Sequence, residues 1–151
     1  MLLYIEILLW LFVMNIGIAF GAGLYEARII VSEWVNSPST YRWPDTGQKF
    51  WGFVTTVPLT ILCIAYLIAA SLFHGVGSDW WLISSIIIAI ERVFTFSYFI
   101  PKVLKVQQGT ESISKPQLKR MATQWNHLNY IRLTITLIAW ILALEAFSLI
   151  I

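Results

Sequence analysis

The chain has 151 residues, of which 58% are hydrophobic and only 12% charged, with a mean hydropathy of +0.74. A soluble domain carries roughly a quarter charged residues, so this composition excludes an ordinary water-soluble fold. The net charge of +2 is too small and too scattered for a nucleic-acid surface, and a single cysteine excludes a disulfide framework.

Four apolar runs approach the roughly 20 residues that cross a bilayer: 2–24, 53–73, 80–100 and 129–151. They predict one all-α domain, a polytopic membrane four-helix bundle with longer loops at 30–50 and 102–116. Of the ten Lys and Arg, all but Arg92 flank or lie in those two loops. The positive-inside rule then places both loops in the cytoplasm and both termini on the non-cytoplasmic side, as in a bacterial inner membrane or its equivalent. The start, Met-Leu-Leu-Tyr-Ile-Glu, lacks a basic region, so no cleaved signal peptide is expected.

In the first span, Gly17, Gly21 and Gly23 are small residues suited to close helix contact. Asn15, Ala19, Ala22 and Glu26 fall at offsets of 0, 4, 7 and 11, and so share a helix face. Glu26 reads either as half of an interfacial ion pair or as a carboxylate facing a cavity. The following loop carries Trp34, Tyr41, Trp43, Phe50 and Trp51 among turn-forming residues. Such a loop suits an aromatic belt at the interface or a lid over a cavity, with Trp34 a candidate ligand contact.

Thr56, Thr60 and Cys63 share a face of the second span, and Pro58 predicts a kink whose freed carbonyl nearby threonines satisfy. The segment from His74 to Asp79 is a tight turn. The third span holds Glu91-Arg92 near mid-membrane, where ionisable residues are functional candidates by default. Ser84, Glu91, Thr95, Tyr98 and Lys102 form a polar stripe along it. Neighbours in sequence point about 100° apart, so Glu91 and Arg92 are expected to find different partners. Pro101 is expected to stop the helix. Ser114 followed by Pro116 then reads as a helix start, with one helix continuing to the C-terminus.

In that last helix Trp125, Asn129, Arg132 and Thr136 fall on one narrow face, and His127, Thr134 and Glu145 on the opposite one. A helix carrying Asn and Arg into lipid must aim them at partners or water. The Trp-Asn-Arg face is therefore expected to point inward. His74 and His127 lie at opposite ends and cannot share a haem. A metal at the outer end would need Glu6, His74, Asp79 and Glu145 to converge, so no metal or cofactor is expected. What remains is a polar cluster of Glu26, Tyr98, His127, Asn129 and Arg132, with Glu91 deeper. There His, Tyr or Glu would move protons, and Asn and Arg would hold an anionic oxygen.

Phe94-Thr95-Phe96-Ser97-Tyr98-Phe99-Ile100-Pro101, then Trp125-x-x-x-Asn129-x-x-Arg132, together with Gly21-Ala22-Gly23-Leu24-Tyr25-Glu26, resemble the anthrone oxygenase-like family of small four-helix membrane proteins. The resemblance implies oxidation of an activated phenolic carbon by dioxygen without metal or flavin. In that reading Glu26 and Glu91 join Asn129 and Arg132 as candidate catalytic residues. Asn129 and Arg132 would steady the oxyanion, and Trp125, Tyr98, His127 and Trp34 would shape the substrate pocket. The chain departs from the family pattern at Val103, where that family usually carries Asn.

Two readings follow. One is a cofactor-independent enzyme acting on an apolar aromatic or phenolic compound. The other is a non-catalytic lipid- or quinone-binding subunit of a larger membrane complex, or a homo-oligomer. A transporter is the weaker third, since the sequence has no internal repeat. Expected partners are membrane lipid and a hydrophobic small molecule or quinone, and no nucleic acid.

Overall fold

A computed structural model describes residues 2–36, 45–108 and 113–150. Four helices are long and apolar enough to cross a membrane: α1 (Leu3–Asn36), α2 (Gln48–Leu72), α3 (Ser78–Gln107) and α4 (Lys115–Ile150). Each packs against its neighbour in sequence, and α4 closes the ring against α1. The result is an up-down-up-down bundle. Among the described residues there is no strand.

The helices overrun the expected spans at the basic end. At about 1.5 Å per residue, the 36 residues of α4 extend well past the roughly 30 Å of bilayer hydrocarbon. Residues 31–36, 48–50 and 102–107, expected as loop, are helical. Hydropathy marks where lipid ends. The helix ends later, because Val31, Trp34, Val106, Leu118 and Ala122 still bury apolar surface there. The expected aromatic lid at Tyr41 and Trp43 lies outside the described residues.

Pro101 does not stop α3. It is preceded by a π-helical turn, Thr95–Phe99, just as Pro58 is preceded by one at Trp51–Thr56. A proline ring clashes with the carbonyl four residues back. A π turn, bonded five residues back, has already shifted the carbonyls out of that register. The Ile100 N–H donates to Thr95 O and the Val57 N–H to Gly52 O, both in the five-residue pattern. The threonine hydroxyls nearby turn to their own preceding turns, Thr55 to Trp51 O at 2.9 Å and Thr60 to Thr56 O at 2.6 Å.

Two apolar cores stack along the bundle. The larger, away from the basic end, joins Leu9, Phe12, Ile16, Leu59, Tyr66, Trp81 and Ile88 to a row of alanines on α4, Ala139, Ala143 and Ala146. That row lets α3 approach closely enough for the buried Ser84 hydroxyl to donate to Ala139 O at 2.7 Å. The smaller core, at the basic end, is Val31, Trp34, Phe99 and Trp125.

Two of the three glycines expected at the helix contact are there. A Cβ on Gly17 would sit 2.8 Å from the Trp140 ring, and one on Gly23 2.6 Å from Leu133 Cδ2. Gly21, by contrast, faces open space. It lies about 200° around the helix from Gly23, so one neighbour cannot serve both. Gly17→Leu should therefore lower stability by about 1–3 kcal/mol through overpacking, while Gly21→Leu should be near neutral. Thermal unfolding of the two variants in one detergent checks this, and equal melting points would contradict the packing described.

A charged layer between two cores as the candidate site

Glu26, Glu91, Arg92 and Arg132 come from α1, α3 and α4 and meet where the two apolar cores join. Glu91 is buried, and both of its oxygens are engaged. Oε1 accepts the Thr95 hydroxyl at 2.8 Å and lies 3.6 Å from Arg132 Nη1. Oε2 accepts Arg92 Nε at 2.6 Å. The expectation that Glu91 and Arg92 find different partners is thus wrong. An arginine side chain is long enough to fold back across the 100° between neighbours, and a carboxylate has one oxygen for each cation.

Arg132 is the hub. Its Nε donates to Asn129 Oδ1 at 2.9 Å, one turn earlier on α4, and its Nη1 donates to the Thr95 hydroxyl at 3.2 Å. The guanidinium lies over the Phe99 ring, 4.9 Å from the centroid, in cation–π geometry. Gly23 on α1 lies beside it, and a Cβ there would stand in ordinary contact with Nη2 at 3.8 Å. Glu26, one turn further along α1, is buried and within electrostatic reach of the same guanidinium. The ion pairs of the layer all run through Glu91, which is shared by Arg92 and Arg132, and pairing is the condition for holding such groups in a low dielectric.

Three helices change to π geometry at this layer: Glu26–Ile30 in α1, Trp51–Thr56 in α2 and Thr95–Phe99 in α3. Each of these turns has a carbonyl taken by a side-chain donor. Asn126 Nδ2 donates to Ala27 O at 3.0 Å, Trp125 Nε1 to Phe99 O at 3.0 Å, and Thr55 to Trp51 O. Only α4 crosses the layer as unbroken α-helix, and it supplies two of those three donors. π turns recur at functional sites. Here they turn Glu26, Thr55 and Thr95 inward. Beside Thr55 is a space of about 20 Å³ bordered also by Glu91, Arg92, Arg132 and Thr136, room for about one water.

On the other side of Arg132 a groove opens between α3 and α4. It has a volume of about 540 Å³, inside the range of small-molecule sites. Phe94, Tyr98, Phe99, Leu128, Ile131 and Ile135 wall it, and Glu91 and Arg132 supply its ionisable groups. Because Phe94, Leu128 and Ile131 are exposed on the bundle's flank, the groove faces the space that lipid would fill.

The residues singled out from sequence separate into three places. Glu26, Glu91, Asn129 and Arg132 come together in the layer. Trp125 and Trp34 are buried beside it in the smaller core, with Trp125 tied to Phe99. Tyr98 is half-buried at the groove, but His127 is exposed on the outer side of α4, away from the Arg132 carboxylate network. The helical angle puts His127 on the opposite face to Arg132, and its exposure agrees with that and not with membership of the same cluster. Thr55, and apart from Tyr98 the walls of the groove, carry no signal in the sequence that marks them as site residues. Phe94, Leu128 and Ile131 look in sequence like any lipid-facing residue. At the outer end, no group of three or more potential metal ligands exists among the described residues.

No known protein family, curated protein or solved structure matches the chain. The resemblance to the anthrone oxygenase-like family therefore rests on the quoted motifs alone.

The layer predicts strong coupling between its members. Arg132→Gln leaves the buried Glu91 with one cation and should cost about 3–5 kcal/mol. Glu91→Gln combined with Arg132→Gln should cost distinctly less than the sum of the two single changes. Unfolding in detergent across this double-mutant cycle measures the coupling, and simple additivity would mean the two groups act separately.

Proposed function

We propose that the chain is an integral membrane protein that binds an apolar molecule with an oxygen-bearing end, such as a quinone or phenol, in the groove between α3 and α4. The observation that carries this reading is the groove itself, apolar on its walls and furnished with Arg132 and Glu91. A molecule dissolved in the bilayer would enter sideways past Leu128 and Ile131. Its ring would lie among Phe94, Phe99 and Ile135, and its oxygen would accept a hydrogen bond from the Arg132 guanidinium. By the positive-inside rule we place the basic end of the bundle on the cytoplasmic side.

The same geometry bears on the two classes of function. Oxygenase chemistry needs an oxyanion partner and a base. Arg132 can be the partner, but Glu91, the carboxylate lining the groove, already has both oxygens engaged by Thr95, Arg92 and Arg132. Neither oxygen is left without a partner to meet a substrate proton. Binding without turnover is thus the better-supported reading. A role as a subunit of a larger complex is favoured by the direct pairing of Glu91 with both arginines, and it is compatible with the same groove.

The test is purification in mild detergent followed by mass spectrometry of what co-purifies. The expected result is a near-stoichiometric apolar compound bearing a carbonyl or hydroxyl. Ile131→Trp should cut its retention about tenfold or more by filling the groove, with little effect on stability because residue 131 is exposed. Recovery of other membrane subunits with no small molecule, or equal retention in Ile131→Trp, would refute the groove as the site.

A further inference from the structure

A second cavity, of about 820 Å³, adjoins the groove at the basic end of the bundle. The two share Tyr98 and Leu128 in their walls. Yet their chemistry is opposite. Where the groove is apolar, the second cavity is edged by Lys119, Arg120, Thr123, Gln124 and His127, all exposed on the first turns of α4. Lys102 of α3 reaches toward the same place, its Nζ 5.6 Å from the centroid of the Tyr98 ring. No carboxylate lines this cavity, and among the described residues none forms a salt bridge with Lys102, Lys119 or Arg120.

The contrast with the charged layer is informative. There both arginines share Glu91; here three bases have no acid partner among the described residues. Surface lysines and arginines are often scattered and solvated, but these converge on one concavity with hydroxyl, amide and imidazole groups beside them. The cavity also sits where α4 passes from its polar segment, Lys115–Asn126, into its apolar one. That is the depth of a lipid headgroup, and the apolar groove leads away from it toward the bilayer interior.

We propose that this cavity binds the phosphate of an anionic phospholipid, with the lipid's acyl chain lying over Leu128 along the mouth of the groove. Lys119 and Arg120 provide the charge, and Thr123, Gln124 and His127 offer hydrogen-bond donors to the phosphate and glycerol oxygens. Lys102 closes the α3 side, held against Tyr98. Anionic lipid is concentrated in the cytoplasmic leaflet, the side to which the positive-inside rule assigns this end. The proposal does not depend on a quinone or phenol occupying the groove, because it is carried by the basic cavity and the shared wall.

The experiment is native mass spectrometry of the full chain in detergent, titrated in parallel with dioleoyl phosphatidylglycerol, dioleoyl phosphatidylcholine and inorganic phosphate. The anionic lipid should be retained at least about fivefold better than the zwitterionic one. Inorganic phosphate should compete only weakly, because it has no chain to lay along Leu128. Lys119→Gln and Arg120→Gln should each lower retention about fivefold, whereas Lys105→Gln, an exposed base outside the cavity, should change it little. Equal retention of the two lipids would overturn the proposal. So would an equal loss in Lys105→Gln, which would make the attraction a diffuse one. Displacement by inorganic phosphate at the lipid's own concentration would make the ligand a free anion instead. Ile131→Trp separates this site from the groove: it should leave the preference for the anionic headgroup intact even where it abolishes retention of an apolar aromatic.

Discussion

Everything in this bundle is arranged around the need to neutralise Arg132 inside an apolar environment. An isolated guanidinium at such depth costs several kcal/mol, and Arg132 cannot shed its proton to escape that cost. Glu91 answers it directly, Asn129 and Thr95 fix its orientation, and Phe99 covers one face. Arg92 in turn balances the second oxygen of Glu91, and Glu26 adds the second acid. Four helices built mainly of Leu, Ile, Ala and Trp could pack in several rotations. A layer in which one buried carboxylate is shared by two arginines selects one of them. Pairing of this kind contributes more to uniqueness than to stability.

The π turns are how the backbone accommodates that selection. Regular α geometry places side chains every 100°, and Glu26, Thr55 and Thr95 are all first or near-last residues of segments where that spacing changes. The wider turns would leave carbonyls poorly bonded in an environment without water. Trp125, Asn126 and Thr55 supply the missing donors. The aromatic and amide side chains at the start of the membrane segment of α4 thus have a structural task that is separate from any ligand, and it accounts for their burial.

Much of the architecture is legible in the sequence because lipid enforces a simple rule: about 20 apolar residues make a span. The inward face of α4 is equally legible, since Trp125, Asn129, Arg132 and Thr136 repeat at helical spacing and polar groups must avoid hydrocarbon. The helix ends were not, because Val31, Trp34, Leu118 and Ala122 bury apolar surface beyond the apolar runs, where hydropathy cannot see it. Pro101 misled for a different reason. A proline signals that the four-residue hydrogen bond is absent, and helix termination and a π turn both satisfy that condition. The groove was the least legible, as residues facing lipid and residues facing a ligand in lipid obey the same chemistry. Glu91 and Arg92 show the limit of reasoning from helical angle alone, because long side chains reach around it.

The π turn at Thr95–Phe99 also sets how α3 can tolerate changes in length. A π turn holds one residue more than the α turn it replaces. Deleting a single residue within it would close the turn to ordinary α geometry and leave Lys102 and Val106 on nearly the same face relative to Glu91. The surplus residue is absorbed locally, so the two ends of α3 stay in phase with or without it. What a deletion there would disturb is the turn itself, whose Thr95, Tyr98 and Phe99 serve the charged layer, the groove and the basic cavity.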